Sequence, residues 1–224
     1  MAPRLPFGSI GTPLRGDPAN RLGDVRHSLW HHREARAAGI ALPDHIQAFV
    51  RQNGRMTVSE RERADLLETL AKHRDFLRYT VRDLTDAEAA VSTTVSALCL
   101  GGLIKHVASV EERWADFMVR GADAFPAVDE TSMDAHGASF RMLDGETLEE
   151  ILDRYASVAA RTDELISSLP ALDVTQPLPV APWFEPGATW SARRTILHIL
   201  AETAQHAGHA DIIREALDGA RTMG

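Results

Sequence analysis

Hydrophobic side chains recur at intervals of three and four residues in several long segments after residue 56. The first stripe comprises Leu66, Leu70, Leu77 and Val81, and the second comprises Leu103, Val107, Val110, Trp114 and Phe117. The third comprises Ile151, Leu152, Tyr155, Val158, Leu165 and Ile166, and the fourth includes Ile199 and Ile213. This spacing places apolar residues on one face of an α-helix. The pattern therefore predicts four long amphipathic helices.

Residues at the ends of these segments predict where the helices begin and end. The predicted helices run from Ser59 to near Leu84, from about Gly102 to Arg120, from Thr147 to before Pro170, and from about Ser191 to Leu217. Capping boxes are predicted for Ser59 with Glu62 and for Thr147 with Glu150, and Gly121 and Gly219 are predicted helix stops. Long helices joined by polar or proline-rich loops, without a useful run of period two, predict an all-α four-helix bundle.

The first 55 residues differ from the rest of the chain. Residues 1–24 contain four prolines and four glycines, a density that no helix or central strand tolerates. Met56 begins a segment that resembles a natural domain start. We therefore expect residues 1–55 to form a partly flexible N-terminal extension and residues 56–224 to form the bundle domain.

Charge is divided unevenly between these two regions. Residues 1–55 carry eight arginines against four acidic residues, a net charge of +4. Because the whole chain has a net charge of −8, residues 56–224 have a net charge of −12. Nucleic-acid binding requires a clustered basic face, which the acidic bundle does not offer. A small-molecule substrate is the better expectation.

Cysteine content and hydropathy indicate the compartment. The single cysteine, Cys99, excludes a disulfide within the chain and fits a reducing cytoplasm. It lies in an apolar stretch, where a buried, inert thiol is expected rather than a nucleophile. No apolar run approaches the ~20 residues that span a bilayer, and the N-terminus lacks the apolar core of a signal peptide. We expect a cytoplasmic protein without a membrane anchor.

A cluster of potential ligands lies on one face of the fourth helix. Relative to His206, the side chain of Glu202 is rotated by about 40°, His209 by about 60° and His198 by about 80°. Ile199 lies on the same face, so these polar groups are embedded in an apolar stripe. Buried charged groups must be paired or must coordinate something.

Glu202 and His206 have the spacing that brings two ligands to one metal from successive helical turns. His106 lies about 60° from Leu103 and about 40° from Val110, so it faces inward from the second helix and could supply a third ligand. Two imidazoles and a carboxylate suit Zn²⁺, Ni²⁺ or Fe²⁺ and leave positions for water or substrate. Inward histidines in bundles are often hydrogen-bonded core residues, so spacing alone leaves both interpretations open.

Other candidate residues are expected to have lesser roles. His209 lies about 10.5 Å along the helix axis from Glu202, which favours a hydrogen bond to a ligand over coordination. His73 and His198 are interpreted as core or pocket lining, and His27, His31 and His32 as part of an exposed, arginine-rich helix. Trp183, Phe184 and Trp190 are expected to cap the bundle end, with a substrate-pocket wall as the alternative.

Two of the helices resemble the signature helices of the DinB/YfiT-like superfamily. The similar stretches are Gly102–Trp114 (GLIKHVASVEERW) and Leu197–Glu215 (LHILAETAQHAGHADIIRE), with Asp83–Glu88 (DLTDAE) after the first helix. The resemblance covers nearly all of residues 56–224 and is nearest to an actinobacterial branch of the superfamily. It does not extend to residues 1–55.

The resemblance implies a metal site at His106, Glu202 and His206. The usual ligands in that superfamily are one histidine from the second helix and a His-x-x-x-His pair from the last. Here glutamate replaces the first member of the pair, as it does in the superfamily's mycothiol-dependent maleylpyruvate isomerases. Several relatives use the metal to bind the thiolate of mycothiol, bacillithiol or glutathione. The 22 arginines against two lysines indicate a GC-rich genome of the kind that makes mycothiol.

These features support a leading hypothesis and two alternatives. The leading one is a metal-dependent thiol S-transferase or isomerase of small electrophiles, with zinc as the expected metal and mycothiol as a candidate cosubstrate. The alternatives are a non-catalytic metal-binding helical module of a stress response and a metal-dependent oxidative or hydrolytic biosynthetic enzyme. Bundles with exposed apolar helix faces often form homodimers, so self-association is a further expectation.

Overall fold

The computed structural model describes residues 58–125 and 130–222, which are mostly helical. The α-helices within these two ranges are α1 (Val58–Tyr79), α2 (Asp86–Ala89), α3 (Leu100–Arg120), α4 (Glu130–Ser139), α5 (Leu148–Ser168) and α6 (Ala192–Asp218). Helix α6 packs against α1 and α3, and α5 packs against α3 and α1. The four long helices therefore enclose a common core, and the predicted all-α bundle is confirmed.

Residues 1–55 lie outside the described part of the chain, together with His27, His31 and His32. The N-terminal extension and the boundary at residue 56 stay predictions. Within the two described ranges, no helix combines the length and the apolar character that crossing a membrane requires.

Several helix ends lie where the sequence predicts them. Thr147 and Glu150 form the expected capping box at the start of α5. Gly121 ends α3 with a φ of 60°, and Gly219 ends α6 in the left-handed conformation with a φ of 79°. The hydroxyl of Ser191 accepts a hydrogen bond from the Arg194 amide and caps the start of α6.

Helix α1 differs from the prediction at both ends. It already includes Ser59, and the Glu62 carboxylate is bound by Arg193 of α6, so the predicted capping box is not formed. It ends at Tyr79 rather than near Leu84. The guanidinium of Arg214 donates to the carbonyl oxygens of residues 80 and 82, which stabilises the turn that follows. These contacts come from α6, which is distant in sequence, so the local sequence pattern does not predict them.

The structure contains short elements that the sequence did not predict. Helix α2 is a single turn with its own capping box, and α4 lacks a pronounced apolar stripe. A 3₁₀ helix follows α3 at Gly121–Ala124. Strands β1 (Thr175–Pro177) and β2 (Thr189–Ser191) pair in antiparallel register, with Gln176 opposite Trp190. Strands of three residues are too short for an alternating pattern to be recognised.

A buried ionic network crosses the core and connects three helices. Arg74 of α1 is 2% exposed and makes two hydrogen bonds to the fully buried carboxylate of Glu111 on α3, at 2.5 and 3.1 Å. Its remaining terminal nitrogen lies 2.8 Å from Asp163 of α5. Burial alone would lower the pKa of Arg74, but the neighbouring carboxylates of Glu111 and Asp163 together outweigh this effect and raise the pKa. Arg74 is therefore held as a cation between the side chains of Glu111 and Asp163.

The chain segment after α4 lies unusually close to the first turn of α3. A Cβ atom built on Gly102 would lie 2.0 Å from the carbonyl oxygen of Phe140, and one on Gly101 would lie 2.2 Å from the Met142 sulfur. Only glycine permits the backbone contact at position 102. The Gly101-Gly102 pair thus allows the segment to pack directly on α3.

Replacement of Glu111 by alanine should destabilise the protein by about 3 kcal/mol or more, because Arg74 would lose its main partner in the core. Glu112→Ala is the matched control. The adjacent Glu112 pairs with Arg154 and Arg161 at the surface, and an exposed pair contributes about 1 kcal/mol or less. Urea unfolding of both variants measures the difference, and equal losses would contradict the assigned role of Glu111.

Gly102→Ala should destabilise the protein by about 1–3 kcal/mol, because the new methyl group would displace the backbone at Phe140. Gly208→Ala provides the control, since Gly208 lies in α6 and a Cβ added there would meet no side chain and no other described segment within 4 Å. Alanine there should be neutral or stabilising by up to about 1 kcal/mol. Thermal unfolding compares the two, and a Gly102→Ala variant as stable as the wild type would refute the close contact.

Candidate metal centre

The structure brings His106, Glu202 and His206 together. Each of the three side chains offers one ligand atom, and these atoms all lie within 4.8 Å of one another. The His206 Nε2 atom is 3.6 Å from the Glu202 Oε2 atom, and the His106 ring meets the His206 ring edge-on with centroids 5.0 Å apart. The three residues that helical spacing and the family resemblance together indicate as ligands therefore form one cluster.

Packing between α3 and α6 produces this cluster. His106 lies in the second turn of α3 on its buried face and is 4% exposed, and His206 of α6 is 9% exposed. The Glu202 side chain, one turn before His206, is 29% exposed. The group is thus enclosed by the core on its histidine side and open to solvent on its carboxylate side.

The electrostatics of the cluster favour the protonation states of metal ligands. Burial, together with the neighbouring His206 and His136, lowers the pKa of His106 to about 4. His206, whose Nε2 atom lies 3.6 Å from the carboxylate, lowers the pKa of Glu202 below its usual value. At neutral pH, His106 is a neutral imidazole and Glu202 is a carboxylate, which are the forms that bind a cation.

The donor set and its spacing fit a divalent ion. Two histidines and one glutamate occur together in catalytic zinc sites, which keep a further position open. Ligand atoms on one tetrahedral zinc lie about 3.4 Å apart, since each is about 2.1 Å from the ion. The 3.6 Å separation of His206 and Glu202 is close to this value. Small side-chain movements would bring His106 into range.

The cluster fits a metal site better than it fits a set of core histidines joined by hydrogen bonds. Among the described residues, no hydrogen bond joins His106 to Glu202 or His206, and the partner of His106 is the hydroxyl of Ser139. His106 therefore lies against the other two members of the cluster without sharing a proton with either of them. This arrangement is expected of a site that holds a cation.

The two other histidines of α6 lie beside the cluster rather than in it. His209 Nδ1 is 3.4 Å from His206 Nδ1, on the opposite ring edge from the nitrogen that faces Glu202. His198 Nε2 is 4.0 Å from Glu202 Oε1. Each contacts one member of the cluster from outside, the geometry expected of residues that orient ligands.

An aromatic cluster borders the site at the end of the bundle. Trp114 and Trp190 are stacked with centroids 4.8 Å apart, and His198 meets both rings edge-on. Phe184 packs edge-on against Trp114, whereas Trp183 is 64% exposed. These contacts agree with the predicted bundle cap and make His198 the link between the aromatic cluster and Glu202.

One side of the site is formed by α4 and the residue that follows it, which the sequence pattern did not predict. The Phe140 ring stacks on His106 with centroids 3.8 Å apart and an interplanar angle of 21°. Ser139 Oγ lies 2.9 Å from His106 Nδ1. The one sequence signal for this contact is the Gly101-Gly102 pair, which marks a close approach of another chain segment one turn before His106.

The remaining predicted residues lie away from the ligand cluster. Cys99 is 1% exposed, and its sulfur contacts the Phe140 carbonyl oxygen at 3.8 Å. His73 lies on α1 and packs edge-on against Phe76 with centroids 5.8 Å apart. The predicted burial of Cys99 is confirmed, and His73 does not join the cluster.

Comparison with known proteins identifies related sequences and folds. A family model described as mycothiol-S-transferase matches residues 65–219. The crystal structure of a conserved protein from Enterococcus faecalis aligns with a TM-score of 0.52 and 16% identity, and covers 74% of this chain and 99% of that chain. At this identity the structural match supports the fold alone. No curated protein matches the chain.

Metal analysis of tag-free protein should find about one divalent ion per chain, and His206→Ala should lose most of it, because a His-Glu pair binds more weakly than the full set. His73→Ala is the control and should keep the metal of the wild type. Elemental analysis after gel filtration measures both. Unchanged metal content in His206→Ala would refute the assignment of this metal site.

Proposed function

We propose that this chain, which belongs to the mycothiol-S-transferase family, is a divalent-metal-dependent enzyme that directs the thiol of mycothiol at small electrophiles. The observation that carries the proposal is the clustering of His106, Glu202 and His206. All three lie within residues 65–219, which match the family model. We assign these three residues as the ligands and zinc as the metal. The reaction is either transfer of the thiol sulfur to the electrophile or isomerisation through reversible addition.

Each of the three residues would have a distinct role in such a site. His106 and His206 would supply neutral nitrogen ligands, and Glu202 would supply one negative charge. A bound divalent ion would lower the pKa of a thiol and hold the thiolate beside the electrophile. Glu202 is the most exposed of the three ligands, so thiol and electrophile would enter from its side.

An external thiol is favoured because the chain offers no suitable sulfur of its own. Cys99 is the single cysteine and is buried at the start of α3, in contact with the Phe140 carbonyl oxygen. A reactive cysteine is usually partly exposed in an electropositive setting. The nucleophilic sulfur would therefore come from a cosubstrate, in agreement with the family description.

Transfer and isomerisation differ in the fate of the thiol. In transfer, the sulfur forms a bond to an electrophilic carbon as the bond from that carbon to its leaving group breaks. The leaving group departs with the electron pair of that bond, and the thiol proton passes to solvent or to the leaving group. In isomerisation, the sulfur adds to a double bond, rotation follows, and elimination releases the thiol unchanged. Thiol consumption relative to product therefore distinguishes the two reactions.

The zinc-loaded protein should consume a chromogenic electrophile faster with mycothiol than without it. Glu202→Gln should lower kcat/KM by about 100-fold or more, because a neutral amide is a poor metal ligand. His73→Ala should retain wild-type activity. Chelation should abolish the thiol-dependent rate, and added metal should restore it. Equal electrophile loss with and without thiol would eliminate the proposal and favour oxidative or hydrolytic chemistry.

A further inference from the structure

We infer that Ser139 is a positioning residue that fixes the tautomer and ring orientation of His106, and thereby strengthens divalent-metal binding. The inference deepens the proposed function and rests on its metal site. Two contacts define it. Ser139 Oγ lies 2.9 Å from His106 Nδ1 and 2.6 Å from the carbonyl oxygen of His136, in the last turn of α4.

The number of available hydrogens determines the direction of both bonds. A serine hydroxyl has one hydrogen and two lone pairs, whereas a carbonyl oxygen can only accept. At 2.6 Å the hydrogen must lie between Ser139 and the His136 carbonyl oxygen, since two oxygens without a hydrogen between them would repel each other. Ser139 then accepts, so His106 Nδ1 carries the proton and donates it.

This assignment leaves the lone pair of His106 on Nε2. The opposite tautomer would place a proton on Nε2 and leave a lone pair on the nitrogen that faces Ser139. A metal requires the unprotonated nitrogen, and a hydrogen bond at the other nitrogen selects which one that is. The chain Nδ1–H to Ser139 to His136 therefore prepares His106 as a ligand before any ion binds.

The segment that carries Ser139 is held against α3 by independent contacts. Phe140 stacks on the His106 ring, and its carbonyl group packs on Gly102. Lys105, next to His106, binds both oxygens of Glu146 at 2.7 and 2.9 Å, which fastens the loop after α4 to α3. The hydroxyl is thus presented by a fixed backbone rather than by a free loop.

Nitrogen chemical shifts of the histidine rings in the metal-free wild type test the tautomer directly. Long-range ¹H–¹⁵N correlation spectra should show His106 protonated at Nδ1 and unprotonated at Nε2 at neutral pH. A His106 protonated at Nε2 would overturn the inference. This measurement requires neither a variant nor a bound metal.

Zinc affinity, measured by competition with a chromophoric chelator, tests the consequence. Ser139→Ala should bind zinc about 10–100-fold more weakly, the usual effect of losing a partner of a ligating histidine. Ser139→Thr retains the hydroxyl and should stay within about threefold of the wild type. Ser168→Ala is the matched control, because Ser168 also donates to the carbonyl three residues earlier, at the end of α5, and should leave the affinity unchanged.

The outcomes separate this inference from the proposed function. Wild-type zinc affinity in a folded Ser139→Ala variant would refute the role of Ser139 and leave the metal site intact. A wild type that binds no divalent ion would refute the metal site, and the tautomer measurement would still decide whether Ser139 orients His106. Circular dichroism confirms that each variant is folded.

Discussion

The buried ion pair between Arg74 and Glu111 is the interaction on which the arrangement of the bundle depends. Hydrophobic attraction between helix faces is non-directional, so by itself it specifies the register of two helices less sharply than a charge pair does. A displacement of one turn, about 5.4 Å, would instead separate two buried charges, and an unpaired buried charge costs several kcal/mol. Asp163 extends the pair to α5, so α1, α3 and α5 share one register.

This register determines the geometry of the candidate metal centre. His106 and Glu111 are five residues apart on α3, so fixing Glu111 also fixes the height and rotation of His106. Helix α6 is fastened to α1 at both ends: Arg193 binds Glu62, and Arg214 holds the turn after α1. Through α1, the two helices that carry the ligands are held in one relation, and neither contact involves a ligand.

Features that depend on neighbours within one or two helical turns could be predicted from the sequence. The capping box of Thr147 and Glu150 and the convergence of Glu202 with His206 both follow from spacings of three or four residues. Features that depend on residues distant in sequence could not be predicted. Arg74 and Glu111 are 37 residues apart, and Ser139 and His106 are 33 apart. Arg214 donates to the carbonyl oxygen of Thr80, which lies 134 residues before it. Helix α4 lacked a periodic signal, so the partner of His106 was missed with it.

The glutamate at position 202 gives the site a distinct charge balance. Two neutral imidazoles and one carboxylate would leave a divalent ion with a net charge of +1, and a bound thiolate would make the complex neutral. A third histidine would instead leave a positive complex beside the buried His106, where charge is costly. A carboxylate also donates more negative charge to the ion than an imidazole does. We therefore expect an ion held by Glu202 to lower the thiol pKa less than an ion held by a third histidine would. Because nucleophilicity falls as thiol pKa falls, the thiolate would keep more of its reactivity towards an electrophile. In the proposed function, Glu202 would therefore suit a centre that activates a thiol and then releases its sulfur.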